Sequence, residues 1–385
     1  MVIFFTVDSY PSKNHPFSSF ISTICCQFAK KNKVIVIAPQ SITRSIIRRS
    51  PLLPKKELFE NGIEVYRPYS LTLGDGKFRG RLTLMINKLV TTCAMKKISK
   101  KTKPDIIYSH FWANVFNAVG FAKSQDIPLF ASTGEDIIKL TKYLRPEEIE
   151  LIKSTVKGCI AVSTKNLQES VVLGLISAEK CVVLPNSVKN KVFKKLNKED
   201  CREKLGFDKK DFIVAFVGRF TERKGSKRVA EAISLIDDDI KSVFIGSSMA
   251  DEKLACNPNC KGILHLGIVP NHEISTYLNA SDVFVLPTLA EGCCNAIIEA
   301  MACGLPIISS DLSFNYDILN ESNSIMVDPM NTEAISKAIV QLKENTMLRD
   351  SMSENALLIA KDLTIENRVS KIFSFINSRL SDAKK

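Results

Sequence analysis

Asp282-Val283-Phe284-Val285-Leu286-Pro287-Thr288-Leu289-Ala290-Glu291-Gly292-Cys293-Cys294-Asn295-Ala296-Ile297-Ile298-Glu299-Ala300-Met301-Ala302-Cys303-Gly304-Leu305-Pro306-Ile307-Ile308-Ser309-Ser310 reads as strand, loop, helix and strand in succession. The apolar run 282–287 has the unbroken hydrophobicity of a strand buried on both faces of a parallel sheet. Gly304 with Pro306 just beyond is the punctuation that ends a helix, and 307–310 is apolar enough to be the next strand. Two carboxylates fall inside this unit, Glu291 on the loop and Glu299 about one turn into an otherwise apolar helix over 296–303. A lone acid there needs a polar partner. The amides of Gly292, Cys293, Cys294 and Asn295 would project from a helix N-terminus, where an anion is favoured.

The whole chain has 385 residues, enough for two domains of ordinary size. A hydrophobic content of 45% beside 24% charged residues is that of a globular chain. No apolar run reaches the roughly 18 residues of a membrane-spanning helix. The first seven residues form a strand-like run without a basic leader, so no secretory signal is expected. Eleven cysteines in such a chain point to a reducing compartment and free thiols, hence the cytoplasm. Cys256 and Cys260 could form half a metal site, but no second pair accompanies them, and a loop carrying two thiols is the simpler reading.

Charge is divided unevenly. Residues 1–200 hold 32 Lys and Arg against 16 Asp and Glu, whereas 201–385 hold 21 against 25, so a net of +16 stands beside −4. A basic first half suits an anionic membrane surface, where each basic residue adds about 1 kcal/mol of attraction. Nucleic acid is not expected, because no binding motif accompanies the lysines.

The first half alternates strands and helices. Strands are expected at 2–6, 34–39, 63–66, 105–108, 128–131, 159–162 and 181–184, with Ser18 and Ser19 placed to cap a helix through Phe20, Ile24 and Phe28. Residues 79–103 read as a long basic amphipathic helix. Leu82, Leu84, Met85, Leu89, Val90 and Cys93 form its apolar side, and Arg79, Arg81, Lys88, Lys96, Lys97, Lys100 and Lys101 its charged one. Such a helix either lies on anionic lipid or packs on a sheet with its basic face in water. The lysine-rich 189–198 is the best linker.

Thereafter the alternation begins again, with strands at 212–217, 242–245, 263–266 and 324–327 besides the opening unit. Helices are expected at 226–236, 271–279, 332–344, 348–363 and 366–381. The fold class is therefore α/β, with two Rossmann-like doubly wound parallel-sheet domains and a cleft between them. The expected divisions are 1–195, 196–365 and a C-terminal helix at 366–385 that packs back on the first domain. Ligands in such sheets sit at the carboxyl ends of the strands.

Gly218-Arg219-Phe220-Thr221-Glu222-Arg223-Lys224-Gly225 occupies such an end. Arg219 offers a planar fork and Lys224 a compact charge to a diphosphate. The loop lacks the Gly-x-x-x-x-Gly-Lys-Ser/Thr of nucleoside triphosphatases, and no Gly-x-Gly-x-x-Gly follows the first strand. Beside Glu291 and Glu299 it makes a coherent nucleotide-sugar site, with cations for phosphates and acids for sugar and ribose hydroxyls.

With these residues assembled, the second half resembles the retaining family 4 glycosyltransferases of the glycosyl transferases group 1, which have the two-domain GT-B architecture. The resemblance rests on Gly218-Arg219 with Lys224-Gly225, and on His265-Leu266-Gly267 before Tyr277-Leu278-Asn279-Ala280-Ser281-Asp282. Glu291-x7-Glu299 with Ala300-Met301-Ala302-Cys303-Gly304-Leu305-Pro306 completes it. The first half matches more loosely, through Tyr10-Pro11-Ser12, Ser109-His110, Gly134-Glu135-Asp136, Ala161-Val162-Ser163 and Leu184-Pro185-Asn186.

The resemblance implies a hexosyltransferase that uses no cofactor or metal and takes a UDP- or GDP-linked sugar donor. Its acceptor would be a glycan or lipid-linked glycan in polysaccharide biosynthesis, as for lipopolysaccharide or capsule, worked on from the inner face of the membrane. Gly218, Arg219, Lys224, Gly292, Cys293, Cys294, Asn295, Ala296 and Glu299 would bind the donor. Glu291, Arg219, Lys224 and His110 would serve the reaction, although His110 reads equally as a histidine satisfied by its neighbours. Glu135 and Asp136 are further candidates for the cleft. The chain departs from the family pattern at Thr133-Gly134, where His-Gly is common, at Asn186-Ser187, where Asn-Gly is common, and in lacking a glycine pair near 14–18. These departures motivate the alternative of a non-catalytic nucleotide-sugar-binding or scaffold subunit.

Overall fold

A computed structural model describes residues 1–14, 20–74, 76–236, 239–248 and 257–382. Ser18, Ser19 and Cys256, singled out in the sequence, lie outside these. The contacts divide the chain into two compact units, Met1–Leu184 with Val369–Lys385, and Pro185–Arg368. The boundary thus falls earlier than the lysine run that reads as a linker. The Asn279 side chain takes the Leu196 amide at 2.7 Å and donates to the Lys194 carbonyl at 3.0 Å, which holds that run on the second unit.

In the first unit the strands are β1 (Val2–Thr6), β2 (Lys33–Ile37), β3 (Gln40–Ser41), β4 (Lys56–Leu58), β5 (Glu64–Tyr66), β6 (Tyr69–Ser70), β7 (Ile106–His110), β8 (Leu129–Thr133), β9 (Val156–Ala161) and β10 (Cys181–Val183). The helices are α1 (Phe20–Ala29), α2 (Ile42–Ile47), α3 (Lys77–Ser99), α4 (Trp112–Ser124), α5 (Pro146–Thr155) and α6 (Thr164–Val172). Eight strands form a sheet in the order β10-β9-β8-β7-β1-β2-β5-β4. Its pairs are parallel except β4 with β5. The order reverses between β1 and β7, so their carboxyl ends diverge there and open a crevice.

The second unit holds α7 (Lys198–Leu205), β11 (Phe212–Val217), α8 (Ser226–Ser234), β12 (Ile240–Ile245), β13 (Ile263–Gly267), α9 (Asn271–Ala280), β14 (Val283–Leu286), α10 (Asn295–Ala302), β15 (Ile307–Ser310), β16 (Ser324–Val327), α11 (Thr332–Glu344) and α12 (Thr346–Asp362). Its six parallel strands run β13-β12-β11-β14-β15-β16, reversing between β11 and β14. Every residue of β11, β14 and β15 is buried, as an apolar run covered on both faces requires. Helix α10 stops at Ala302, and Gly304 takes φ +80°, as its place after the helix anticipates. A last helix, α13 (Ile365–Asp382), returns to the first unit. There Phe373 stacks on Phe28 with ring centroids 4.5 Å apart, and Arg379 donates to the Lys157 carbonyl.

Helix α3 corrects one sequence reading. Its buried residues are Leu84, Thr91, Met95 and Ile98, while Leu82, Met85, Leu89 and Cys93 face solvent. Two cations assigned to the outer face turn inward instead. Arg81 grips Glu148 with two 2.7 Å bonds, and the Lys88 ammonium sits 4.1 Å from the centre of the Phe116 ring. A bidentate carboxylate and an aromatic face give these long side chains better partners than water does.

Candidate functional site

The two loops that leave the β11/β14 reversal are tied together. The Leu289 amide donates to the Arg223 carbonyl at 2.8 Å, and Arg228 donates to the Pro287 carbonyl at 2.9 Å. Gly225, which caps α8, takes φ +78°, and a Cβ there would lie 2.8 Å from the Pro287 oxygen. Both the left-handed backbone and the close approach demand glycine.

This tie sets Lys224 and Glu291 against each other. One Glu291 oxygen accepts from the Thr288 hydroxyl at 2.9 Å, from Arg223 at 2.9 Å and from the Lys224 ammonium at 2.5 Å. The Lys224 and Glu291 side chains are only 14% and 13% exposed. Burial works against the lysine's charge, yet the Cys294 and Glu291 side chains outweigh it and hold its pKa up. Arg219 lies at the exposed start of the same loop.

Helix α10 begins immediately after. Its N-cap, Cys294, makes no capping side-chain bond, and its first turn holds no acid. The amides from Cys293 to Ala296 therefore lie beside Lys224, whose Nζ is 3.9 Å from the Cys294 sulfur. One turn on, Glu299 is partly buried, and burial pushes its carboxyl up to about 7 although Lys189 pulls the other way. Asn186 donates to the Cys293 carbonyl at 3.1 Å, which brings the atypical Asn186-Ser187 pair to the start of α10. The Asn186 Oδ1, Ser187 Oγ and Asn295 Oδ1 atoms are buried without a hydrogen-bond partner. Orphaned polar atoms of this kind cost stability unless a ligand takes them up. Hydroxyl and amide groups are the donors and acceptors that sugar hydroxyls match.

The structure thus brings together Lys224, Glu291, Gly292, Cys293, Cys294, Asn295, Ala296 and Glu299, with Gly218 and Arg219 at the loop's start. His110 belongs to the other unit, at the end of β7, with its ring 4.0 Å from that of Phe111. Around it the β1/β7 reversal builds a second polar cluster. Asp8, just past β1, accepts from Asn114 at 2.8 Å, and Asn114 also donates to the His110 carbonyl. Burial raises the Asp8 pKa, against the pull of Asn114 and Arg44. Phe111 carries φ +72°, a strained value for a bulky residue at a strand-to-helix turn.

Glu135 accepts from the Trp112 amide at 2.8 Å and the Thr133 hydroxyl at 2.6 Å, so it anchors the start of α4. Asp136 is exposed. Cavities of about 420 and 310 Å³ share Asp8, Arg44 and Thr72 in their walls. Among the described residues no group of His, Cys, Asp and Glu side chains could hold a metal ion.

Two features escaped the sequence reading, and a third was legible only in part. Asp8 could have been found as the first polar residue beyond a buried strand next to a reversal. Arg223 was masked by its neighbour Lys224, because the loop alone does not say which cation meets Glu291. Asn186 and Ser187 stood out only as departures from a pattern.

Residues 197–358 match the family described as Glycosyl transferases group 1. The chain is 30% identical over 312 residues to the UDP-Gal:alpha-D-GlcNAc-diphosphoundecaprenol alpha-1,3-galactosyltransferase of Escherichia coli, covering 75% of this chain and 79% of that one. It is 26% identical to the teichuronic acid biosynthesis glycosyltransferase TuaC of Bacillus subtilis, covering 83% and 80%. Among solved structures it superposes on sucrose-phosphate synthase of Thermosynechococcus elongatus with a TM-score of 0.77, at 16% identity over 99% of both chains. Anabaena HepE in complex with UDP and glucose gives a TM-score of 0.72, at 16% identity over 98% of this chain and 100% of that one. These likenesses give the fold as GT-B.

Proposed function

The chain belongs to the group 1 glycosyltransferases, and from that premise we propose a specific reaction. It moves a sugar from a nucleotide-diphospho-sugar to a lipid-linked glycan acceptor, with retention at the anomeric carbon, in cell-surface polysaccharide assembly. The observation that carries this reading is the meeting of Lys224, Arg223 and Glu291 beside the start of α10 at a sheet reversal. Two cations, a carboxylate and a run of helix-start amides are what a sugar diphosphate needs.

Arg219, Lys224 and the amides from Cys293 to Ala296 hold the diphosphate, and Glu299 takes the ribose hydroxyls. Glu291 accepts from a hydroxyl of the donor sugar, while Asn186, Ser187 and Asn295 offer it their unpartnered atoms. In the reaction the bond between the anomeric carbon and the phosphate oxygen breaks, and the acceptor hydroxyl bonds to that carbon on the same face. The acceptor's proton passes to the departing phosphate oxygen, so a nucleoside diphosphate leaves and no carboxylate base is consumed. Cations and amides already in place stabilise the charge that develops on it. His110 supplies a polar contact near the acceptor.

The acceptor class is supported by the relative from Escherichia coli, whose name specifies a diphosphoundecaprenol substrate. Among the described residues no helix is long and apolar enough to cross a membrane. In this reading the enzyme meets such a lipid peripherally, from the cytoplasmic side.

A panel of UDP-, GDP- and ADP-sugars, offered with a prenyl-diphosphate-linked saccharide, tests the reaction. One donor is expected to give a product of unchanged anomeric configuration, and no transfer from any of them sinks the proposal. Replacing Asn186 and Ser187 by alanine is expected to weaken productive donor use about tenfold, the effect of one or two lost hydrogen bonds. Transfer is expected to be unaffected by EDTA, because protein groups fill the place of a metal; loss of activity that magnesium restores would overturn that point.

A further inference from the structure

Helix α2 is unusual in having no buried residue. Ile46 and Ile47 are 71% and 79% exposed, a costly placement for two large aliphatic side chains. Arg44 and Arg48 lie one helical turn apart on another side, and both line the cavity of about 420 Å³ in which Asp8 sits. Neither isoleucine lines it. One short element therefore turns two cations toward a cavity and two isoleucines to the outside.

Helix α3 shares this cavity through Thr83, Leu84 and Asn87, and it too presents apolar side chains outward. Phe78, Leu82, Met85 and Leu89 are all exposed, from 37% to 81%, and their spacing of four, three and four residues aligns them in one stripe. The two elements are joined through residues 70–73. Thr43 donates to the Thr72 carbonyl at 2.7 Å, and the Leu73 amide donates to Thr83. Charge favours one occupant for these faces. Residues 41–56 contain five Lys and Arg and no acid, and α3 contains no acid and, besides the inward-turned Arg81 and Lys88, four exposed cations, Lys77, Arg79, Lys96 and Lys97. Such a surface is complementary to anionic lipid, not to a protein of mixed charge.

We propose that α2 loads the acceptor. Ile46 and Ile47, with the α3 stripe, enter an anionic bilayer, and Arg44 and Arg48 draw the diphosphate of the acceptor lipid into the adjoining cavity. This rests on the lipid-linked acceptor proposed above. The layout follows the order of groups along such a lipid. Apolar chain meets isoleucine, diphosphate meets the arginine pair, and a sugar hydroxyl meets Asp8, whose charge Arg44 offsets.

Two double variants separate the parts. Ile46→Ser with Ile47→Ser is expected to lower co-sedimentation with mixed phosphatidylcholine–phosphatidylglycerol vesicles about tenfold. It should still bind inorganic diphosphate, measured by calorimetry with the nucleotide site filled by the cognate nucleoside diphosphate. Arg44→Gln with Arg48→Gln is expected to lose that diphosphate binding by tenfold or more, the effect of removing charged hydrogen bonds. All four side chains are exposed, so both variants should keep the native melting temperature.

Equal sedimentation of the native chain with pure phosphatidylcholine vesicles, unchanged sedimentation of the isoleucine variant, or unchanged diphosphate binding by the arginine variant overturns the inference. Binding of the nucleotide-sugar donor is measured alongside. If the native chain fails there, the proposed reaction is at fault; if it binds donor and the variants behave as native, only the loading role falls.

Discussion

Lys224→Ala is expected to cut kcat for sugar transfer by about 10²–10³, the loss that follows removal of one preorganised donor from a developing oxyanion. Three facts set the size. The Lys224 side chain is mostly buried, so its field acts through protein rather than water. Its pKa is held up by Cys294 and Glu291 despite burial, so it is charged at any working pH. It lies beside the amides that begin α10, so the leaving diphosphate would be met from two sides.

Lys224 is paired with Glu291, at 2.5 Å. An arriving diphosphate must share it, and Glu291 keeps Arg223 and Thr288 when it does. The variant should therefore fold, since its buried carboxylate is not left alone. Steady-state kinetics at saturating acceptor decide the matter. A kcat within threefold of native removes Lys224 from the leaving-group role, whereas a change confined to the donor KM would make it a binding residue only.

How far this site could be read from the sequence depended on whether its chemistry is local. The β14–α10 unit was legible because all its parts lie within one stretch: an apolar run, two acids, a helix start and a glycine stop. The Gly218–Gly225 loop was legible as cationic for the same reason. Its partner was not, because the choice between Arg219, Arg223 and Lys224 depends on how the loop folds against Pro287 and Leu289. Asp8 was invisible for a related cause, since a single acid gains meaning only when β1 and β7 pair and part at their ends.

The sidedness of α3 failed differently. Periodicity distinguishes apolar from charged faces but not which apolar residues find a sheet. Glu148 and Phe116, distant in sequence, drew Arg81 and Lys88 inward and left Leu82, Met85 and Leu89 in water. The boundary at Pro185 was hidden by the same kind of distant contact, from Asn279 to the lysine run.

Donor affinity is expected to depend on pH through Glu299, and the direction follows from its burial. Its carboxyl is pushed up to about 7 from an ordinary 4.5, with Lys189 only partly opposing. Ribose hydroxyls donate to the ionised form, so binding requires the proton to leave. The sugar diphosphate of the donor does not titrate near neutrality, which leaves the protein to set the profile. Affinity should fall about tenfold per unit below pH 7, or roughly 30-fold by about pH 5.5.

Stability runs the opposite way. A folded pKa above the unfolded one means that the folded chain holds the proton more tightly. The stabilisation is complete below 4.5 and is lost as pH rises through 7. Above that the ionised group costs about 2–3 kcal/mol, allowing for its partial contact with solvent. Glu299→Gln should therefore bind donor weakly with a flat pH profile, and should resist urea better than the native chain at pH 8 but not at pH 4. Calorimetric titrations of the cognate nucleotide-sugar across this range, with denaturation at the two ends, test both halves. A native affinity that is constant from pH 5.5 to 8 takes the ribose contact away from Glu299. A variant no more stable than native at pH 8 would instead mean that the empty site already solvates the carboxylate.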